Sequence, residues 1–363
     1  MKVHLKKLVI LLVVFVNCTL SANANNIAIN SDNFTLEGKK AKFVSFKGET
    51  SLRLNAASAT VNGVVFTNGI IEYDVAFTQK RNFVGVNFRQ QDNKNTEKFY
   101  IRPHQSGNPD ANQYTPVFND LSAWQLYHQG FAGKVNYNFN DWNHVKIVVA
   151  GKQGEVYIND MQKPAFHIKE FLRSIEAGSI SFSSARADAY IANIKVVNHE
   201  QSQMLPTASS EKISTLKDHL MKWQVSNSFN KSILDDVEHL DSTHSSEARW
   251  TPLMADNFGI LNMARVQGLQ ENKDTAFAKA IIYSDKEQVK ALHFGYSDQV
   301  KVFLNNQLLY SGDNSFRSRD YRYLGTIGLF DSLYLPLKKG KNELTFAVSE
   351  SFGGWGLTAT LED

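Results

Sequence analysis

The sequence predicts an all-β protein built as two antiparallel β-sandwiches, and three observations carry that prediction. Apolar residues recur at every second position in short runs along most of the chain, the period of a half-buried strand. Turns of Gly, Asn and Asp separate those runs. One polar stretch near residue 200 lacks the period and divides the chain in two.

Residues 1–24 precede the sandwiches. Lys2, Lys6 and Lys7 come before the apolar run Leu8 to Val16, and the small-x-small triplet Ala22-Asn23-Ala24 follows it. That is the three-part pattern of a secretory signal peptide, cleaved after Ala24. The run falls short of the roughly 20 apolar residues that span a bilayer, so the expectation is an exported protein, periplasmic or extracellular, with no transmembrane segment. The alternative is a lipid anchor on Cys18, against which Phe15 and Asn17 stand where small residues are usual. Loss of the leader removes three of 39 basic residues and no acidic one, leaving 36 against 36. A balanced chain without a basic stripe gives no reason to expect nucleic acid as partner. Cys18 is the only cysteine, so no disulfide is expected in the exported form and stability must come from apolar burial. The 339 residues that remain of 363 suit two domains.

The first sandwich is expected over 25–200. In "IIEYDVAF" Ile71, Tyr73, Val75 and Phe77 alternate with Glu72, Asp74 and Ala76, and "FVGVNFRQ" repeats the period with Val84, Val86 and Phe88. "NHVKIVVAG", "GEVYIND", "GSISFSS" and "AYIANIKVV" continue it, as short strands of an antiparallel sandwich do. In "NDWNHVKIVVAGKQGEVYIND" a Trp-Asn pair opens a strand, a glycine-containing hairpin follows, and the next strand ends in "YIND". Over residues 27 to 198 this resembles the concanavalin-A-like jelly roll of laminin-G-type and bacterial 3-keto-disaccharide-hydrolase-type domains. The resemblance implies a fold and leaves the activity open.

Residues 201–220 are expected to be a linker and a short helix. "NHEQSQMLPTASSEKIS" is polar and has no strand period, and Ile213, Leu216, Leu220 and Trp223 then stand at helical spacing behind Ser210 as a cap. The second sandwich is expected over 221–363. "VKVFLNNQLLYSG" reads as two strands around Asn305-Asn306, because Asn tolerates the positive φ of a tight hairpin. "LKKGKNEL" and the glycine-rich "SFGGWG" mark two further bends. With "VKVFLNN" these resemble the galactose-binding-domain-like sandwich often attached to bacterial carbohydrate enzymes, which implies association with sugars.

Most catalytic signatures are missing. The Glu-x-Asp-x-x-Glu strand of jelly-roll glucanases would need an acid where this chain has Phe77 after Glu72 and Asp74, so those two read as solvated strand residues. No His-Glu-x-x-His, paired cysteine or Gly-x-Ser-x-Gly occurs. Asp235, Asp236, Glu238 and Asp241 lack the alternating ligands and turn glycine of a calcium loop. No cofactor, no metal and no catalytic residue is therefore assigned.

Binding residues are easier to name. In "KFYIRPHQ" Phe99, Ile101 and Pro103 should face the core, turning Tyr100, Arg102 and His104 outward, and the same rule sets Asn87 and Arg89 outward in "FVGVNFRQ". The loop beyond contributes Gln113, Tyr114, Trp124 and Tyr127. Aromatic faces stack on pyranose C–H faces while Arg and Asn bond hydroxyls, so Arg89, Tyr100, Arg102, His104, Tyr114 and Trp124 form the expected ligand face. A second surface is expected from Arg317, Arg319, Asp320, Tyr321 and Trp355. The function expected is glycan or polysaccharide binding through the first sandwich. The alternatives are a polysaccharide lyase or glycoside hydrolase on the same face, with Arg89 or Arg102 holding a uronate and His104 or Tyr100 as base, or a structural or adhesion protein. Oligomeric state is not legible.

Overall fold

The computed structural model describes residues 24–128, 130–199 and 218–362. The expected leader with Cys18, and the linker with most of the expected helix, lie outside the described residues. What is described is all-β, and among the described residues the only α-helix is the four-residue Ser242–Ser245. None of its helices is long and apolar enough to cross a membrane.

Two eight-stranded antiparallel sheets form the first sandwich. One runs Phe166–Ile168, Gln153–Ile158, Trp142–Ala150, Gly69–Phe77, Ala189–Asn198, Glu49–Leu54 and Lys42–Phe46, with Ala24–Asn26 also paired to Ala189–Asn198. The other runs Leu121–Ser122, Asn112–Phe118, Asn95–Ile101, Val84–Asp92, Ser179–Ser184, Ala57–Val61 and Phe34–Glu37, with Ala132–Gly133 also on Asn112–Phe118. The alternation decides the packing. Ile71, Tyr73 and Val75 of the first sheet meet Val86, Phe88, Phe99 and Ile101 of the second in one apolar core. Glu72 and Asp74 fall on the first sheet's other face, where Asp74 pairs with His144 Nδ1 at 2.7 Å and Lys195 lies 3.8 Å from Glu72.

The second sandwich stacks a six-stranded sheet on a four-stranded one. Its core includes Trp223, Phe294, Phe346 and Leu357. The Asn305-Asn306 hairpin forms as expected, with φ of 50° and 72°. Trp223 departs from its expected helical place: it lies in the strand Lys222–Ser226, because backbone pairing with Thr275–Ser284 outweighs a short run at helical spacing. The acidic stretch 235–241 belongs to a segment that lays Leu234 and Leu240 over Phe277 and Phe303 on the outer face of the six-stranded sheet. There Asp241 caps Ser242–Ser245 by accepting from Thr243 N at 2.8 Å.

The sandwiches touch through the loop that follows Asn112–Phe118. Tyr127 donates to Asp256 Oδ2 at 2.6 Å, and Asn119 Nδ2 to the Ala264 carbonyl at 2.8 Å. Gln125 N donates to Gly353 O, and its own carbonyl accepts from Ile327 N. The space beside this contact is the candidate site.

Candidate functional site

Lys98 and Tyr100 share the outward face of Asn95–Ile101 and Arg102, the residue after the strand, continues it, while Phe99 and Ile101 are buried on the core side, as the alternation requires. Register places Gln113 directly opposite Tyr100. The consequence is a buried polar floor. Tyr100 OH donates to Gln113 Oε1 at 2.9 Å, and Arg102 Nη2 donates to the same oxygen at 2.6 Å and also to Tyr100 OH. Arg102 Nη1 forms an ion pair with Asp110 Oδ1, both side chains 1% exposed or less, and Asp110 Oδ2 accepts from Leu324 N of the second sandwich at 2.9 Å. The Arg102 guanidinium also lies 4.6 Å from the Tyr100 ring centre. Burial pushes the Asp110 carboxyl up, and the Arg102 charge works against that shift. Burial holds neighbouring His128 down at about 3, so a neutral imidazole stacks on Tyr323 at 4.5 Å.

Above this floor opens a cleft of about 410 Å³ with walls from both sandwiches. Trp124 sits edge-on to Phe352 at 5.4 Å, and Phe352 stacks on Phe316 at 6.4 Å and 20°. Phe316 is 84% exposed and holds φ at 58°, a region that non-glycine residues enter at a cost. Phe83 and Tyr100 line the opposite side, their rings 6.1 Å apart. Gly353 and Gly354 make the bend that presents Phe352, with φ of 118° and 127° that a side chain would strain.

The expected ligand face divides. Tyr100, Arg102 and Trp124 line the cleft, and Arg317, expected on a separate surface, lines it as well. Four expectations need correction. Tyr114 lies directly opposite Phe99, so it shares the core face, where its hydroxyl donates to Glu97 Oε2 at 2.6 Å. Arg89 sits in a register shift with φ at 48°; this breaks the alternation and turns it onto Phe171, where it bonds Thr67 O, Asn68 Oδ1 and Gly151 O. His104 enters a short 3-10 turn and packs edge-on against Phe83 outside the cleft lining, its pKa lowered to about 4 chiefly by burial. Trp355 is wholly buried in the second core with Nε1 donating to Val348 O at 2.9 Å. Arg319 pairs with Asp331 at 3.0 Å, and Tyr321 stands 97% exposed; neither lines the cleft. Sequence reasoning missed Phe316, Phe352, Arg81, Lys98 and Arg186. Only Lys98 carried a signal, its place two residues before Tyr100.

No family model matches the chain, and no curated protein matches it. Among solved structures it is similar to the carbohydrate-binding module CBM66 from Bacillus subtilis, at 14% identity over 45% of this chain and 95% of that one, with a TM-score of 0.36. It is also similar to a Bacillus subtilis protein of unknown function with a galectin-like fold, at 13% identity over 48% and 96% with a TM-score of 0.36. A third is a Bacillus licheniformis β-glucanase, at 8% identity over 50% and 99% with a TM-score of 0.37. Each match spans about half of this chain.

Proposed function

We propose that the protein is an exported glycan-binding protein that holds a saccharide in the cleft between its two sandwiches. The observation that carries this reading is the aromatic wall Trp124, Phe352 and Phe316, two of its three rings presented to solvent beside hydrogen-bonding groups. Sugar rings have apolar C–H faces that cover such rings, and hydroxyl edges that meet polar groups such as Gln125 and Ser122. Export follows from the leader pattern and is a separate element of the proposal.

Binding is favoured over elimination of a uronate polymer. A base needs a pKa near neutrality, and burial drives Tyr100 upward while its hydroxyl is already committed to Gln113 and Arg102. Arg102, the other group of that mechanism, spends its charge on Asp110.

Titration calorimetry of the full chain against a panel of neutral and acidic polysaccharides tests the reading. Trp124→Ala and Phe316→Ala should each weaken binding about tenfold, the scale of one lost stacking contact. Thermal unfolding of Phe316→Ala should be unchanged. Saccharide affinity equal to that of the parent in both variants sinks the proposal.

A further inference from the structure

We infer that the saccharide taken by this cleft is acidic, its carboxylate or sulfate groups met by Arg81, Arg186, Lys98 and Arg317. The inference rests on the glycan reading above and narrows its ligand class. Five cations line the cleft and, among the described residues, no Asp or Glu does. Arg102 is neutralised by Asp110. None of the other four forms an ion pair within 4 Å among the described residues, although Arg317 lies near enough to Asp313 to help lower its carboxyl, whereas Arg53, Arg319 and Arg322 elsewhere on the surface each pair with an aspartate. The like charges of Arg81, Arg186 and Lys98, without counter-charge, repel one another, and an arriving anion relieves that repulsion.

Arg81 and Arg186 come from loops about a hundred residues apart in sequence, and one buried side chain holds the two loops together. Asn82 Oδ1 accepts from Phe83 N at 2.9 Å, Arg186 N at 3.0 Å and Ala187 N at 3.2 Å. Its Nδ2 donates to Ser184 Oγ at 2.9 Å and Ala187 O at 3.1 Å. The amide is saturated, so the two backbones are fixed while the guanidinium groups remain free for a ligand. Across the same wall Lys98 is half-buried with its ammonium 5.7 Å from the Tyr100 ring, and burial lowers its pKa. A desolvated ammonium without a carboxylate gains more from an incoming anion than a solvated one does. Arg317 closes the cleft from the second sandwich, next to Phe316.

The test measures binding of the full chain to polygalacturonate, dextran sulfate, neutral dextran and polyglutamate. Polygalacturonate or dextran sulfate should bind at least about tenfold tighter than dextran and than polyglutamate, and about 0.5 M salt should remove most of that margin. Which of the two binds better identifies the anionic group as carboxylate or sulfate. Each charge-assisted hydrogen bond is worth about tenfold or more in affinity, so Arg81→Gln with Arg186→Gln should cost about a hundredfold on the acidic polymer. Lys339→Gln, an exposed cation outside the cleft, should cost nothing. Dextran bound as tightly as the acidic polymers, with the double variant unaffected, overturns the acidic inference and leaves the glycan reading standing. Polyglutamate bound as tightly as any polysaccharide means charge attraction alone and overturns the inference. Binding of no saccharide at all overturns both.

Discussion

Asp110→Asn is the most demanding test of how the cleft is built. Both carboxylate oxygens of Asp110 accept from donors: Oδ1 from Arg102 Nη1, and Oδ2 from Leu324 N across the contact between sandwiches. An amide of the same shape has one acceptor oxygen and one NH2 group, so in either orientation a donor faces a donor. It also leaves the Arg102 guanidinium, 1% exposed, without its counter-charge. Removing one partner of a buried ion pair costs about 3–5 kcal/mol. At about 2–4 °C per kcal/mol for a unit of this size, the melting temperature should fall roughly 6–20 °C. The measurement is thermal and urea unfolding of parent and variant, each followed by tryptophan fluorescence. A paired change, Asp110→Leu with Arg102→Met, should recover most of the lost stability by removing both charges together. A loss under about 1 kcal/mol in Asp110→Asn would mean that Arg102 is solvated in solution and that the polar floor is not buried.

Three further expectations follow from single groups. Burial beside Asp298 raises Glu350 to about 8, so the folded state holds this proton more tightly than the unfolded chain, where a glutamate titrates near 4.3. Its stabilising contribution is complete below about pH 4.3 and drains away as the pH rises toward 8, by up to ~1.4 kcal/mol per pH unit. Glu350→Gln should therefore flatten the stability profile over that window and be the more stable protein at pH 8; parallel profiles would refute the raised pKa. Tyr114→Phe removes a hydroxyl that donates to Glu97 Oε2 and accepts from Leu172 N, and should cost about 1.5–3 kcal/mol in urea while saccharide affinity stays constant. Lost affinity at full stability would return Tyr114 to the ligand face. Mass spectrometry of the exported protein should find a start at Asn25, and a lipid-modified Cys18 or a retained Met1 would contradict the leader reading.

Counting in twos along the chain was enough to find most strands and to put Tyr100 and Arg102 on one face, because the pleat is local; it failed at His104, where the strand has given way to a 3-10 turn. It was not enough for Tyr114, whose face depends on the register between two strands; a slip of one residue reverses every side chain. Arg89 shows the same limit from another cause, since an irregularity in pairing leaves no mark on composition. The glycine-rich "SFGGWG" was legible as a bend, yet which aromatic points into the cleft is decided by packing. Trp355 fills the second core, and the smaller Phe352 reaches Trp124. Phe316 and Arg317 line the cleft together with Tyr100 and Trp124, some two hundred positions earlier in the chain, and no period or motif reports a docking at that distance.

The contact made by Tyr127 and Asp256 has a thermodynamic corollary. Because the cleft draws its walls from both sandwiches, a ligand in it binds only the docked arrangement, and its binding energy adds to whatever holds the halves together. At a concentration a hundredfold above Kd that addition is about 2.7 kcal/mol, comparable with two or three of the five hydrogen bonds described across the contact. Saccharide should therefore protect the chain from proteolysis at places far from any residue it touches. By the same reciprocity, a substitution at Tyr127 or Asp256, neither of which lines the cleft, should surface as weaker sugar binding.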